Sequence, residues 1–212
     1  MPKPDLDGLD VDRLAEVLLP GSGRPYPMNE GLESRVYGID VGTERYVLRI
    51  GSDRRSYDKD AYVASSFADA GLPVPPVVAI GEVGPHAYCL TPRLPGAPVN
   101  RVAPDALESM TAAVAAMLQI VWAQDVSQSS GFGMCDHAGN GEFTSWHDYL
   151  LDDSPVQAAS ERPRVPRPLL DRLYGYIGER AGRCPETRGL LHGDFGSGNV
   201  LVEGTTVTGV LD

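Results

Sequence analysis

The run His192-Gly193-Asp194-Phe195-Gly196-Ser197-Gly198-Asn199, with Asp212 beyond it, gathers the residue types that phosphoryl transfer needs. That reaction asks for an oriented hydroxyl, neutralised phosphates and in-line placement, with little covalent help from the protein. A carboxylate must face the hydroxyl, and Asp194 suits that role as the catalytic base. A separate amide and carboxylate must hold Mg²⁺, a hard cation that takes oxygen ligands; Asn199 and Asp212 suit that one. Two short strand-forming runs separate these two residues, around a turn at Glu203-Gly204-Thr205. A hairpin returns its second end beside its first, so Asp212 is expected next to Asn199. Other chemistries fit these residues less well. Ser197 is no nucleophile elbow, because Phe195 stands where G-x-S-x-G needs its first glycine. His192 and Asp194 could open a metal-hydrolase site, but His86, His137 and His147 are scattered and form no second ligand cluster. The bland alternative is a glycine-rich turn with a capping aspartate and His192 filling the core.

A second group lies upstream. The run Tyr46-Val47-Leu48-Arg49-Ile50 puts a cation near a strand end, where protein kinases grip the α- and β-phosphates with a lysine oriented by an acid on the next helix. Arg49 can serve as the grip and Asp60 as the orienting acid; the alternatives are an Arg49 that merely ends a strand in solvent, and Lys59 as the phosphate contact. Glu30-Gly31-Leu32-Glu33-Ser34 is the candidate phosphate-covering turn, although it lacks G-x-G-x-x-G. Thr91-Pro92-Arg93-Leu94 stands where a kinase hinge offers backbone groups to adenine, which adds Ser34, Arg93 and Leu94 to the nucleotide set. The spacings from Asp194 to Asn199 and on to Asp212 match the protein-kinase plan, with Gly193 in place of its arginine. That arginine commonly answers a phosphorylated activation loop, so no such switch is expected.

The elements that must position these residues follow from periodicity and punctuation. Asp10 is expected to cap a helix with Leu14, Val17 and Leu18 inward. Ser34–Asp40 and Arg45–Ile50 read as a hairpin about Val41-Gly42-Thr43, and 57–70 as a helix stopped by Gly71. Strands are expected at Val77–Val83 and Tyr88–Thr91, completing a small α+β lobe. Pro92–Pro104 is a proline-rich connector, and Asp105–Gln124 is a helix whose Leu107, Met110, Val114, Met117, Leu118 and Val121 recur at helical spacing. Ser127–Gly141 reads as a glycine-rich loop, Thr144 as the cap of a helix through Leu151, and 154–168 as a polar loop. A helix over Pro168–Arg183 with Leu169, Leu170, Leu173, Tyr176 and Ile177 inward then precedes strands at Gly189–His192, Asn199–Val202 and Val207–Leu211.

Composition bounds the partners. A net charge of −11 argues against nucleic acid, whose phosphates need clustered cations, and favours a small cationic substrate. Lys3 and Lys59 are the lysines, every other basic residue being arginine, which restricts what can hold a phosphate. Cys89, Cys135 and Cys184 are far apart and in no metal-like spacing, as expected of reduced thiols. The polar N-terminus and the absence of a long apolar run predict a soluble cytoplasmic chain without membrane contact, expected as a monomer.

Together these residues resemble the aminoglycoside phosphotransferase family, and within it the hygromycin-type enzymes. The likeness is densest in Glu30-Gly31-Leu32-Glu33-Ser34-Arg35, Tyr46-Val47-Leu48-Arg49 and Leu72-Pro73-Val74-Pro75. It extends to Ser127-Gln128-Ser129-Ser130-Gly131-Phe132-Gly133, to Cys184-Pro185-Glu186 and to the catalytic-loop motif. The resemblance implies an α+β, bilobal, protein-kinase-like fold: a nucleotide lobe over 1–91, a connector over 92–104 and a catalytic lobe over 105–212. It implies ATP with Mg²⁺, transfer of the γ-phosphoryl to a hydroxyl of an aminoglycoside antibiotic, and resistance as the result. Asp194 would be the catalytic aspartate, Asn199 and Asp212 the metal ligands and Arg49 the phosphate contact. The family continues past the position of Asp212 with a tryptophan and a helical region that supplies much of the acceptor pocket, so that region is expected to be missing here. A kinase of another small alcohol (choline, homoserine or a macrolide) and an inactive nucleotide-binding fragment are the competing readings.

Overall fold

Two hairpins with tight glycine turns and a short edge strand build the main sheet of the computed structural model, which describes residues 4–29, 31, 33–152 and 166–211. Strands β1 (Tyr26–Pro27), β2 (Arg35–Val41), β3 (Glu44–Gly51), β4 (Ala79–Val83) and β5 (His86–Pro92) pair antiparallel in the order β1-β2-β3-β5-β4. Gly42 (φ 60°) and Gly84 (φ 57°) make the two hairpin turns in a conformation that a side chain would strain. Strand alternation sends successive side chains to opposite faces. Ile39, Leu48, Ile50 and Leu90 form one buried face, closed by Ala15 of α1 (Val11–Leu18). Arg49 and Gly51 point the other way, toward α2 (Arg54–Phe67), where Tyr57 packs with Ala87 and Cys89.

Both helices start on an aspartate. The Asp10 side chain accepts from the Arg13 N–H at 2.9 Å, as its position before the apolar run predicts. The inward face differs from expectation: Ala15 is buried, whereas Val17 is 66% exposed. The small side chain lets the helix lie close to the sheet, and Val17 falls outside that contact. Helix α2 begins earlier than expected because Asp53 caps it, accepting from the Arg55 N–H at 2.9 Å.

The connector is more structured than its prolines suggest. It contains β6 (Ala97–Pro98) and a 3₁₀ turn over Val99–Arg101. Strand β6 pairs with β9 (Val200–Glu203), which pairs with β10 (Thr206–Val210) about Gly204 at φ 59°. Helix α3 (Pro104–Trp122) sets Met110 against Val200 and Val202, while Leu107, expected inward, is exposed. The expected strand over Gly189–His192 does not form. That stretch joins no ladder among the described residues, and Leu191 is exposed.

Chain contacts group Met1–Gln124 with Leu190–Asp212 as one compact unit and Asp125–Gly189 as a second. In the second, the expected loop contains β7 (Phe132–Cys135), which pairs with β8 (Gly141–Phe143). Ser145, not Thr144, caps α4 (Trp146–Leu151), accepting from the Asp148 N–H at 3.0 Å. The Glu186 carboxylate also accepts from the Trp146 and His147 N–H groups, at 2.7 and 3.2 Å. The Arg188 guanidinium donates to the carbonyls of Val126, Ser129 and Gly131 and to Ser129 Oγ. Most of the expected loop at 154–168 lies outside the described residues; α5 (Arg167–Ala181) follows it. Leu169, Leu173 and Tyr176, expected inward on α5, are exposed. No described helix is long and apolar enough to cross a membrane. Cys89, Cys135 and Cys184 form no disulfide.

Candidate active site

The loop from His192 to Asn199 is closed by its own backbone and by two side chains. Gly193 takes φ 82°, the Gly196 N–H donates to Asp194 O at 2.7 Å, and the Asn199 N–H donates to Gly196 O at 3.0 Å. The Asn199 amide nitrogen donates to Asp194 O at 3.0 Å and to the Asp194 carboxylate Oδ2 at 3.2 Å. Asp194 and Asn199 are therefore in direct contact, and the amide orientation turns Asn199 Oδ1 away from Asp194. Asp194 is exposed.

The hairpin β9–β10 brings the chain back. The Leu211 N–H donates to Asn199 O at 2.8 Å. His192 Nε2 lies 3.0 Å from Leu211 O, and the Asp194 N–H points to His192 Nδ1 at 3.3 Å. A carbonyl can only accept, so Nε2 carries the proton and Nδ1 is the acceptor; both contacts demand the same neutral tautomer. The His192 ring also meets Phe195 edge-on, with centroids 5.4 Å apart. His192 is thus a bracket between the Asp194 loop and the residue before Asp212. Asp212 itself lies outside the described residues. The spacing that singles out Asp194 and Asn199 gives no sign of a second holder, Asn100, whose N–H donates to Ser197 O at 3.0 Å.

The upstream group is paired on the α2 face of the sheet. Arg49 Nη2 meets Asp60 Oδ2 at 2.5 Å, and Lys59 Nζ lies 3.7 Å from the other Asp60 oxygen. The Arg49 guanidinium stands 5.3 Å from the centre of the Tyr57 ring and reaches Cys89 Sγ at 3.8 Å. Burial pushes the Cys89 thiol up, against the nearby Arg49 charge, and keeps it protonated. Ser34 Oγ is 3.0 Å from the Tyr57 hydroxyl. Of the turn before it, Gly31 and Glu33 are described, whereas Glu30 and Leu32 are not.

The connector residues are fastened to the hairpin. The Arg93 N–H donates to Arg45 O at 2.8 Å, and the exposed Arg93 side chain reaches Tyr26 at 3.5 Å. Leu94 sits over Gly209, where any side chain would crowd it, and Thr208 Oγ1 donates to Pro95 O at 2.7 Å. The connector segment is thereby tied to the same hairpin that returns to Asn199.

A paired cation on the sheet and a carboxylate–amide loop ahead of a returning hairpin are the kinds of group that phosphoryl transfer uses. The sequence model of the phosphotransferase enzyme family (APH) matches residues 26–212, and the chain belongs to that family. Among curated relatives it is 33% identical to the hygromycin-B 4-O-kinase of Escherichia coli, over all of this chain and 63% of that protein. Among solved structures it matches a thermostable mutant of aminoglycoside phosphotransferase APH(4)-Ia, in ternary complex with ADP and hygromycin B, with a TM-score of 0.86. That match is 31% identical and covers 95% of this chain and 70% of the other. The macrolide 2'-phosphotransferase of Brachybacterium faecium shares the fold alone: TM-score 0.58, 19% identity, 98% of this chain and 71% of the other. The chain thus spans under two thirds of the curated relative's length.

Proposed function

We propose that this chain belongs to a cytoplasmic kinase that moves the γ-phosphoryl of ATP to a hydroxyl of hygromycin B or a related aminoglycoside. One observation carries the reading: Asp194 and Asn199 touch, and the hairpin delivers Leu211 back to Asn199. Identity to a hygromycin-B kinase along the whole chain supports the substrate class, and the net charge of −11 suits a polycationic acceptor.

In this reading Asp194 accepts the proton of the attacking hydroxyl, and Asn199 holds its carboxylate in place. Arg49, oriented by Asp60, grips the nucleotide phosphates, with Ser34 at the end of the turn that covers them. The backbone of Arg93 and Leu94 borders the adenine. The donor set suits Mg²⁺: the Asn199 amide bonds inward through its nitrogen and leaves an oxygen for a hard cation, with the Asp212 carboxylate as the second ligand. When bound, that cation neutralises the β- and γ-phosphates.

The test is ADP release with ATP, Mg²⁺ and a panel of acceptors (hygromycin B, other aminoglycosides, choline, homoserine and a macrolide), run on the purified chain and on a version extended to the length of its curated relative. Release that depends on hygromycin B is expected from the extended version, and little from the 212 residues alone. Release with one of the last three alone would overturn the substrate class. Nucleotide binding with no acceptor-dependent release from either version would mark a nucleotide-binding fragment and overturn the activity.

A further inference from the structure

Tyr57 makes two contacts that a core-filling ring does not need. Its hydroxyl bonds Ser34 at 3.0 Å, and its ring lies under the Arg49 guanidinium, 5.3 Å from centroid to carbon. The residue is 2% exposed. Burying a phenol oxygen costs free energy unless it finds a partner. A phenylalanine would fill the same space without needing one.

The fold makes room for that hydroxyl. Arg35 pairs with Ile50 across β2 and β3, so Ser34 and Gly51 face each other one step further along the ladder. Gly51 is buried, and a Cβ there would stand 2.7 Å from the Tyr57 hydroxyl and 3.2 Å from Ser34 Oγ. Gly51 does not adopt a positive φ, so backbone conformation does not call for glycine here. Close approach of the Tyr57–Ser34 pair does. Gly51 and Arg49 point to the same face, which places the floor of this contact next to the guanidinium.

We propose that Tyr57 is a positioning residue for nucleotide phosphates: its ring steadies Arg49 while its hydroxyl fixes Ser34, so the sheet cation and the serine are held as one unit. This rests on the reading of Arg49 and Ser34 as phosphate contacts. Cation–π attraction at a partly desolvated site and a buried hydroxyl bond are each strong enough to set a rotamer. Burial pushes the Tyr57 phenol up from its ordinary value, so the hydroxyl keeps its proton at neutral pH. The arrangement orients both groups before any nucleotide arrives, which lowers the ordering cost of binding.

The experiment is calorimetric titration of the purified chain with ADP and, separately, with adenosine, which lacks the phosphates. Tyr57→Phe removes the hydroxyl and keeps the ring, and should weaken ADP about three- to tenfold with adenosine unchanged. In a Ser34→Ala background the same change should have no further effect, since the partner is already gone. Tyr57→Leu should add the loss of the ring beneath Arg49 and approach the effect of Arg49→Ala. If Arg49→Ala weakens ADP but Tyr57→Phe does not, the proposal is overturned. It is equally overturned if ADP and adenosine weaken in parallel, the mark of a merely structural role. If the unaltered chain binds ADP no tighter than adenosine, the phosphate-site reading itself is wrong and the proposal falls with it.

Discussion

Replacing His192 with leucine should separate two halves of the candidate site without touching the nucleotide side. The imidazole gives Leu211 O a 3.0 Å hydrogen bond, accepts a longer one of 3.3 Å from the Asp194 N–H, and packs edge-on against Phe195. A neutral hydrogen bond contributes about 0.5–1.5 kcal/mol net, with the 3.3 Å contact at the weak end. The ring pair adds a comparable amount, about 0.5–1.5 kcal/mol. Leucine fills part of the volume but makes neither bond, so the loss is roughly 1.5–3 kcal/mol. For a domain of this size that corresponds to a fall in Tm of roughly 3–10 °C. The functional effect should exceed the stability effect. Leu211 precedes the proposed cation ligand Asp212 and bonds Asn199 at 2.8 Å, so freeing its carbonyl shifts both ligands together. Small misplacements of reacting groups cost about 10²-fold in rate. ADP titrated with and without Mg²⁺ separates the two effects. His192→Leu should leave Mg²⁺-free ADP affinity near that of the unaltered chain and raise the Mg²⁺ concentration needed for half-maximal binding or turnover. An unchanged Mg²⁺ requirement would refute the bracket. So would equal loss of ADP affinity with and without the cation, because the defect would then be general.

In a version extended to the length of the curated relative, Asp194→Asn keeps the shape and a hydrogen-bond acceptor for Asn199 but removes the proposed proton acceptor; ADP affinity should persist while turnover with hygromycin B falls about 10²- to 10⁴-fold, as read by ADP release. Arg188→Met should destabilise the second unit by roughly 2–3 kcal/mol, because it strips a charged donor from three carbonyls and Ser129 Oγ; hydrogen exchange should accelerate first over Ser127–Gly133. Acid should loosen the same unit. Asp136 is held below the usual carboxylate range first by the Asn140 N–H, and Asp148 first by the Ser145 hydroxyl. A depressed folded pKa gives stability that is present above the unfolded value of about 3.9 and lost as pH falls through the folded one. The near-ultraviolet dichroism of the Trp146–Tyr149 pair, with centroids 5.0 Å apart, should therefore hold from neutral pH down to about 4 and decline below it.

Much of this protein is legible from local pattern. The Asp10 cap, the β2–β3 hairpin about Gly42 and the β9–β10 hairpin about Gly204 depend on a few adjacent residues, and the chain adopts them where the residues stand. The contact of Asp194 with Asn199 closes within one loop and is local in the same sense. The helix faces are less legible, because periodicity shows that a face is apolar but not which rotation meets a partner. Val17, Leu107, Leu169, Leu173 and Tyr176 sit on apolar stripes and are exposed, while the small Ala15 is buried.

The sequence alone determines the caps, the tight hairpins and the residue types proposed for the chemistry: an Asp, an Asn and a cation at spacings that suit phosphoryl transfer, carried on segments whose backbone preferences are set by near neighbours. Only the tertiary structure decides what joins them. The Ser34–Tyr57 contact, the pairing of β6 with β9 and the anchoring of Thr208 to Pro95 link residues far apart in the chain. Gly51 looks like any strand-end glycine until Tyr57 is packed over it. Likewise Leu190 and Leu191 look like a strand, yet the stretch from Gly189 to His192 joins no ladder among the described residues. The physical reason is common to all of them: a turn or a cap is satisfied by atoms a few bonds away, whereas a ladder, a buried hydroxyl or a helix face is satisfied by a partner that folding has to bring.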